Sequence, residues 1–222
     1  MIDNITVCID VTAPDLTITS PTYGEVIGSS AVEVVWKGND TLSDIDYYMV
    51  KIDGEQWIVT NTTSVCYSGL SEGQHTIYVR AYNKAGLSTE QSAIFIIDLT
   101  PPSLEIISPE NGSTIEGDSI GVSWSYWDNY GVDHVEIKLD DGPWINVGVS
   151  TSYVFSDISS GGHRISIRVI DRAGYGITRD VYVFVKSPVL AIQMGYAALF
   201  IGIIALIISV ILIGVVKRRK IE

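Results

Sequence analysis

Aspartates and glutamates, 26 in all, are the most abundant chemically active side chains of this 222-residue chain. Their oxygens suit a hard cation, and calcium takes six to eight such ligands. Asp40, Asp44 and Asp46 form one group; Asp128, Asp133, Asp140 and Asp141 form another. Asp10 and Asp98 stand beside two short Pro-containing stretches, where a cation would stiffen one part of the chain against the next. The spacing fits no known calcium loop, and Asp is equally at home in turns, bonding its own backbone. Two readings stand: calcium as the one cofactor with ligands on offer, or no cofactor at all.

Catalytic chemistry has less support. The chain contains no Gly-x-Ser-x-Gly, His-Glu-x-x-His or Cys-x-x-Cys pattern and no phosphate-cradling glycine loop. It reads as non-enzymatic. Of its three histidines, His75 and His163 occupy matching places and read as structural, their polar ends bonding nearby backbone. His134 has no counterpart and reads as surface. Tyr126, Trp127 and Tyr130 are the strongest binding candidates. Exposed, they would suit a carbohydrate or a neighbouring surface protein; buried, they would pack on their own domain. Asn39, Asn61 and Asn111 lie in sequons at expected turns, where a glycosylating enzyme could reach them; Asn4 opens a fourth sequon.

The elements that must position these residues come from a duplication. Asp10, Pro14, Leu16, Ile18, Ser20 and Pro21 recur as Asp98, Pro102, Leu104, Ile106, Ser108 and Pro109, an offset of 88. At the same offset Val34 and Trp36 match Val122 and Trp124, and Gly73, His75, Ile77 and Val79 match Gly161, His163, Ile165 and Ile167. Asn83-Lys-Ala85-Gly86 matches Asp171-Arg-Ala173-Gly174, and Trp57 matches Trp144 with one residue of slippage. Within each copy apolar residues alternate with polar ones, as in Val32, Val34 and Trp36, and Asp, Asn and Gly turns interrupt them. That pattern predicts about seven short strands per copy, a β-sandwich. Cys8 and Cys66 fall in different copies and read as small apolar core residues, not a disulfide.

Trp36 and Trp124, the Leu70-x-x-Gly-x-His75 element, the (Asn/Asp)-x-Ala-Gly turns and the Asp-x-Thr-x-Pro junctions together carry a resemblance. The chain resembles the tandem immunoglobulin-like and fibronectin type III-like repeats of bacterial and archaeal surface proteins. The resemblance implies an all-β fold: two tandem Ig/fibronectin III-like sandwiches at 11–98 and 99–186, followed by one transmembrane helix. It implies fold and setting more than function, because such sandwiches serve many roles.

The remainder is membrane chemistry. Residues 189–216 carry no charge and are followed by Lys217-Arg218-Arg219-Lys220. At ~1.5 Å per residue a helix over this stretch crosses a ~30 Å apolar core. The basic tail, 217–222, places the C-terminus in the cytoplasm and the repeats outside, in a single-pass arrangement. Gly195, Ala198, Gly202, Ala205 and Ser209 form one small-residue face, which suits self-association; membrane helices are also rich in such residues generally. Besides membrane lipid, a surface protein or glycan is the partner class expected. A net charge of −12 argues against nucleic acid.

Residues 1–10 align with the last strand of each repeat, and no secretory signal is visible. The expectation is a C-terminal piece of a longer surface protein, prokaryotic and more archaeal than bacterial in character; the alternative is that this strand adds to the edge of the first repeat. Its expected role is a stalk holding upstream domains off the membrane. Adhesion modules, or the anchor of an upstream surface enzyme, are the alternatives.

Overall fold

The computed structural model describes residues 9–186 and the single residue Ile204. Among the described residues no helix is long and apolar enough to cross a membrane. The span expected at 189–216, with Gly195, Ala198, Gly202, Ala205 and Ser209, and the tail at 217–222 lie outside them, Ile204 apart. So does the strand expected at residues 1–10, apart from Ile9 and Asp10.

Residues 15–186 fold into strands and turns throughout. The first copy contributes β1 (Asp15–Ser20), β2 (Val26–Ile27), β3 (Val32–Asn39) and β4 (Ile45–Ile52). It continues with β5 (Ile58–Thr60), β6 (Ser64–Tyr67), β7 (Gly73–Asn83) and β8 (Ser88–Ile97). One sheet has the order β1-β3-β6 and its partner β2-β8-β7-β4-β5. The count is eight strands, not about seven. β2 and β5 are two and three residues long, too short for alternation to reveal them.

Period-two burial decides which face each side chain takes. Val32, Val34 and Trp36 point inward from β3, Val50 and Ile52 from β4, Ile77, Val79 and Ala81 from β7, and Phe95 and Ile97 from β8. Burying each larger apolar side chain contributes about 1.5–3 kcal/mol. Trp36 meets Tyr48 edge-on, with ring centroids 5.7 Å apart. The same rule corrects one expectation. Cys66 is exposed, because Val65 and Tyr67 on either side of it in β6 turn toward the core. Cys8 lies outside the described residues.

The second copy repeats the plan: β9 (Ser103–Ser108), β10 (Ser113–Glu116), β11 (Ile120–Trp127) and β12 (Val132–Leu139). Then follow β13 (Ile145–Asn146), β14 (Ser152–Phe155), β15 (Gly161–Asp171) and β16 (Gly176–Lys186). Its sheets have the orders β14-β11-β9 and β10-β16-β15-β12-β13. In both copies the second strand joins the last in parallel, β2 with β8 and β10 with β16. Ile120, Val122, Trp124, Val135, Ile137, Ile165, Ile167 and Val185 are buried. The one-residue slip of the outer tryptophans does not alter their role. Trp57 lies beneath Lys51 and Arg80, and Trp144 beneath Lys138 and Arg168.

By packing, the described residues divide into two compact units. The first takes those up to Ser103 together with Trp127–Asp133 and Ile170–Ile177, and the second takes the rest.

Candidate metal centre

Strand ends in the first unit bring three aspartates together. Asp98 follows the last residue of β8, Asp128 the last of β11, and Asp171 closes β15. Each ends or directly follows a strand, where a short carboxylate can bond backbone N–H groups a few residues on. Asp98 Oδ1 accepts the N–H of Thr100 at 3.1 Å. Asp128 Oδ1 accepts those of Tyr130 and Gly131 at 2.9 and 2.8 Å. Asp171 Oδ1 accepts those of Ala173 and Tyr175 at 2.9 and 2.8 Å. Each carboxylate is thus oriented by one oxygen. The other oxygen, Oδ2, is buried in all three and meets no hydrogen-bond donor. One oxygen from each aspartate lies within 4.8 Å of the others.

Asp98 is 0 % and Asp171 1 % exposed, so water can do little to screen these charges. At such separations each pair of carboxylates repels by on the order of 3 kcal/mol at an effective dielectric of about 20. Burial pushes the Asp98 carboxyl above its usual range; Asp128, Asp171 and Glu72 push it further, against the Thr100 N–H. Burial likewise raises Asp171, with help from Asp128, against the N–H groups of Tyr175 and Ala173. The donor set is oxygen alone, which suits a hard divalent cation and not zinc.

The first copy places Asp10, Asp40 and Asn83 at the corresponding positions, each lower by 88. There Asn83 Nδ2 donates to Asp10 Oδ2 at 3.2 Å, to Asp40 Oδ2 at 3.1 Å and to the Thr12 carbonyl at 3.0 Å. Asn83 Oδ1 accepts the Leu87 N–H, as Asp171 Oδ1 accepts that of Tyr175. Only the other end of the side chain differs. Here the pKa values move the opposite way. The Ser43 hydroxyl, then the Thr12 hydroxyl and N–H, hold Asp10 below its usual value. Asp40 is held at about 2, first by the Ser43 N–H and then by the Asn83 amide.

The other acidic candidates stand apart from these groups. Asp44, at φ 58°, pairs with Lys84 at 3.0 Å, and Asp46 is exposed on β4. Asp133 is exposed on β12. Asp140 serves a turn: its Oδ1 accepts the Arg164 N–H at 2.8 Å, and its Oδ2 faces His163 Nδ1 at 2.8 Å. His163 Nε2 meets the Ser159 carbonyl at 2.9 Å. Asp53, His75 and Ser71 repeat this clamp, both ring contacts being 2.8 Å. Burial lowers both histidine pKa values, but the carboxylate and carbonyl acceptors outweigh it, so both end above the usual value. The two histidines are structural corner residues.

Adjacent strand residues face opposite sides, so Tyr126 and Trp127 cannot form one stacking platform. The Tyr126 hydroxyl donates to the Val149 carbonyl at 2.6 Å, whereas Trp127 is 66 % exposed. Tyr130 is half-buried in the turn that Asp128 caps. Asn61 is exposed in a turn. Asn111 is exposed but its Oδ1 accepts the Tyr182 N–H, and Asn39 is the exposed last residue of β3 and not a turn residue. Sequence reasoning passed over Asp171 as a ligand. The signal available was the change from Asn83 to Asp171 within an otherwise matching turn.

Residues 102–167 match the bacterial Ig domain family. No curated protein matches the chain. Among solved structures, the fibronectin(III)-like modules of Clostridium thermocellum CbhA are similar at 17% identity and a TM-score of 0.57. That match covers 78% of this chain and 95% of the other. Three N-terminal domains of the bacteriophage RB49 highly immunogenic outer capsid protein match at 12% identity and a TM-score of 0.48, over 79% of this chain and 70% of theirs. The family match and the likeness to the fibronectin(III)-like modules give the fold as tandem Ig/fibronectin III-like repeats. Such modules are typical of extracellular spacers and adhesion segments, and are generally non-catalytic.

Proposed function

We propose that this chain is the membrane-proximal spacer of a cell-surface protein: two sandwiches outside the membrane, one helix through it and a basic tail inside. The observation that carries this reading is the juxtaposition of two duplicated Ig-like sandwiches with an uncharged stretch at 189–216 and the Lys217–Lys220 cluster. The Pro-containing segments Val11–Pro14 and Leu99–Pro102 restrict backbone rotation where the copies join. Prokaryotic, archaeal-leaning placement, domains upstream and sequon glycosylation at Asn39, Asn61 and Asn111 belong to the same proposal. Self-association through the small-residue helix face would add lateral pairing.

Epitope tags at the two ends of the chain, expressed in cells, test the topology. The N-terminal tag should be reached by antibody on intact cells and the C-terminal tag only after permeabilisation, with the protein retained in carbonate-washed membranes. Release by carbonate, or the reverse accessibility, overturns the reading. Adhesion is favoured by one observation, the exposure of Trp127. Glycan-array binding by the chain, lost in Trp127→Ala, would establish it in place of a pure spacer.

A further inference from the structure

We infer that Asp98, Asp128 and Asp171 bind one calcium ion, and that the Asn83 side-chain amide takes the place of such an ion in the first copy. Three independent observations converge. Oxygens from the three aspartates lie within 4.8 Å of one another, and two oxygens on one calcium, each about 2.4 Å away, are at most about 4.8 Å apart. The Oδ2 atoms of all three are buried without a donor, and native proteins seldom leave such groups unsatisfied. At the equivalent positions, Asn83 Nδ2 supplies the positive end of a dipole to Asp10, Asp40 and the Thr12 carbonyl.

Asn83 and Asp171 are nearly isosteric. Replacing an NH2 by a carboxylate oxygen removes two donors and adds a third negative charge. What satisfied the pocket internally must then come from outside. A single proton neutralises one of three charges; a divalent cation neutralises two and is coordinated by all three oxygens. Thr100 is the counterpart of Thr12, so its carbonyl is the natural fourth oxygen, and water reaching half-buried Asp128 completes the shell. No nitrogen or sulfur belongs to the group, which selects a hard ion. The ion would tie the end of β8 to the turns after β11 and β15, all within the first unit. This inference stands on side-chain geometry and does not depend on the membrane reading.

The test uses the full chain in detergent, stripped with EDTA and returned to calcium at pH 7. The expected result is one ion bound per chain by isothermal titration, half-saturated between about 10⁻⁵ and 10⁻³ M, as in weaker oxygen sites. At 10 mM calcium Tm should rise by about 5 °C or more. Asp171→Asn, which restores the Asn83 amide but not the Ser43 hydroxyl that Gly131 lacks, should fold without calcium, melt higher than wild type in EDTA and lose the bound ion. Asn83→Asp should bind a second ion. The inference is overturned if wild type binds no calcium and its Tm is unmoved. It is equally overturned if Asp171→Asn binds as wild type does, since the ions would then lie elsewhere on the acidic surface.

Discussion

The strand-end polar groups of the two copies differ in their donors: Asn83 and Ser43 of the first are Asp171 and Gly131 in the second. Around Asn83 every inward oxygen has a donor, and Asp10 and Asp40 are held below their usual pKa values. Around Asp171 the inward oxygens have none, and Asp98 and Asp171 are raised above theirs. The backbone turn is the same in both, with Oδ1 of residue 83 or 171 capping an N–H four residues on. A duplicated fold thus keeps its turn chemistry and sheet order while the filling of one buried polar pocket changes. The first copy carries its own donors; the second leaves three buried carboxylate oxygens without one.

The largest expected effect tests whether the copies are otherwise alike. Trp36→Ala and Trp124→Ala should each cost about 3–5 kcal/mol in urea unfolding, because both indoles are 1 % exposed in matching cores. A large difference between them would break the comparison. Next, Asn83→Asp in EDTA should cost about 3 kcal/mol, since it removes a satisfied buried donor and adds a charge beside Asp10 and Asp40. Unfolding of the first unit in chelator would measure it, and no loss would mean that the amide is not holding the pocket.

The corner clamps should respond to pH alike in both copies. A histidine whose folded pKa is raised stabilises fully below its unfolded value, 6.5, and loses that contribution as pH rises through the folded value. His75→Gln and His163→Gln should therefore each cost about 1–2 kcal/mol at pH 6 and less at pH 9. NMR titration of both imidazoles should give midpoints above 6.5; a midpoint below it would refute the clamp. The smallest effect belongs to Trp127→Ala, expected within about 0.5 kcal/mol of wild type in thermal unfolding because this ring is exposed. A larger loss would show that the ring packs on the protein.

Much of the fold was legible before any coordinates. Val32, Val34 and Trp36 lie inward because alternation fixes the face of every residue once one is buried. His75 and His163 read as structural with their polar ends on nearby backbone, and the Ser71 and Ser159 carbonyls are that backbone; the carboxylates of Asp53 and Asp140 were the unforeseen half. Cys66 was misplaced because composition favours burial while the strand's register exposes it. β2 and β5 went unseen because two or three residues carry no period.

The sequence alone therefore determined the duplication, the all-β class, the strand faces and the uncharged stretch at 189–216, since each is a local or periodic property of neighbouring residues. The meeting of Asp98, Asp128 and Asp171 was decided only by tertiary structure. They are far apart in the chain, and the one local signal, Asp171 where the first copy has Asn83, does not tell which carboxylates it meets. β8, β11 and β15 belong to three different sheets, so it is packing within the first unit, and not pairing within a sheet, that brings the three carboxylates into one buried pocket.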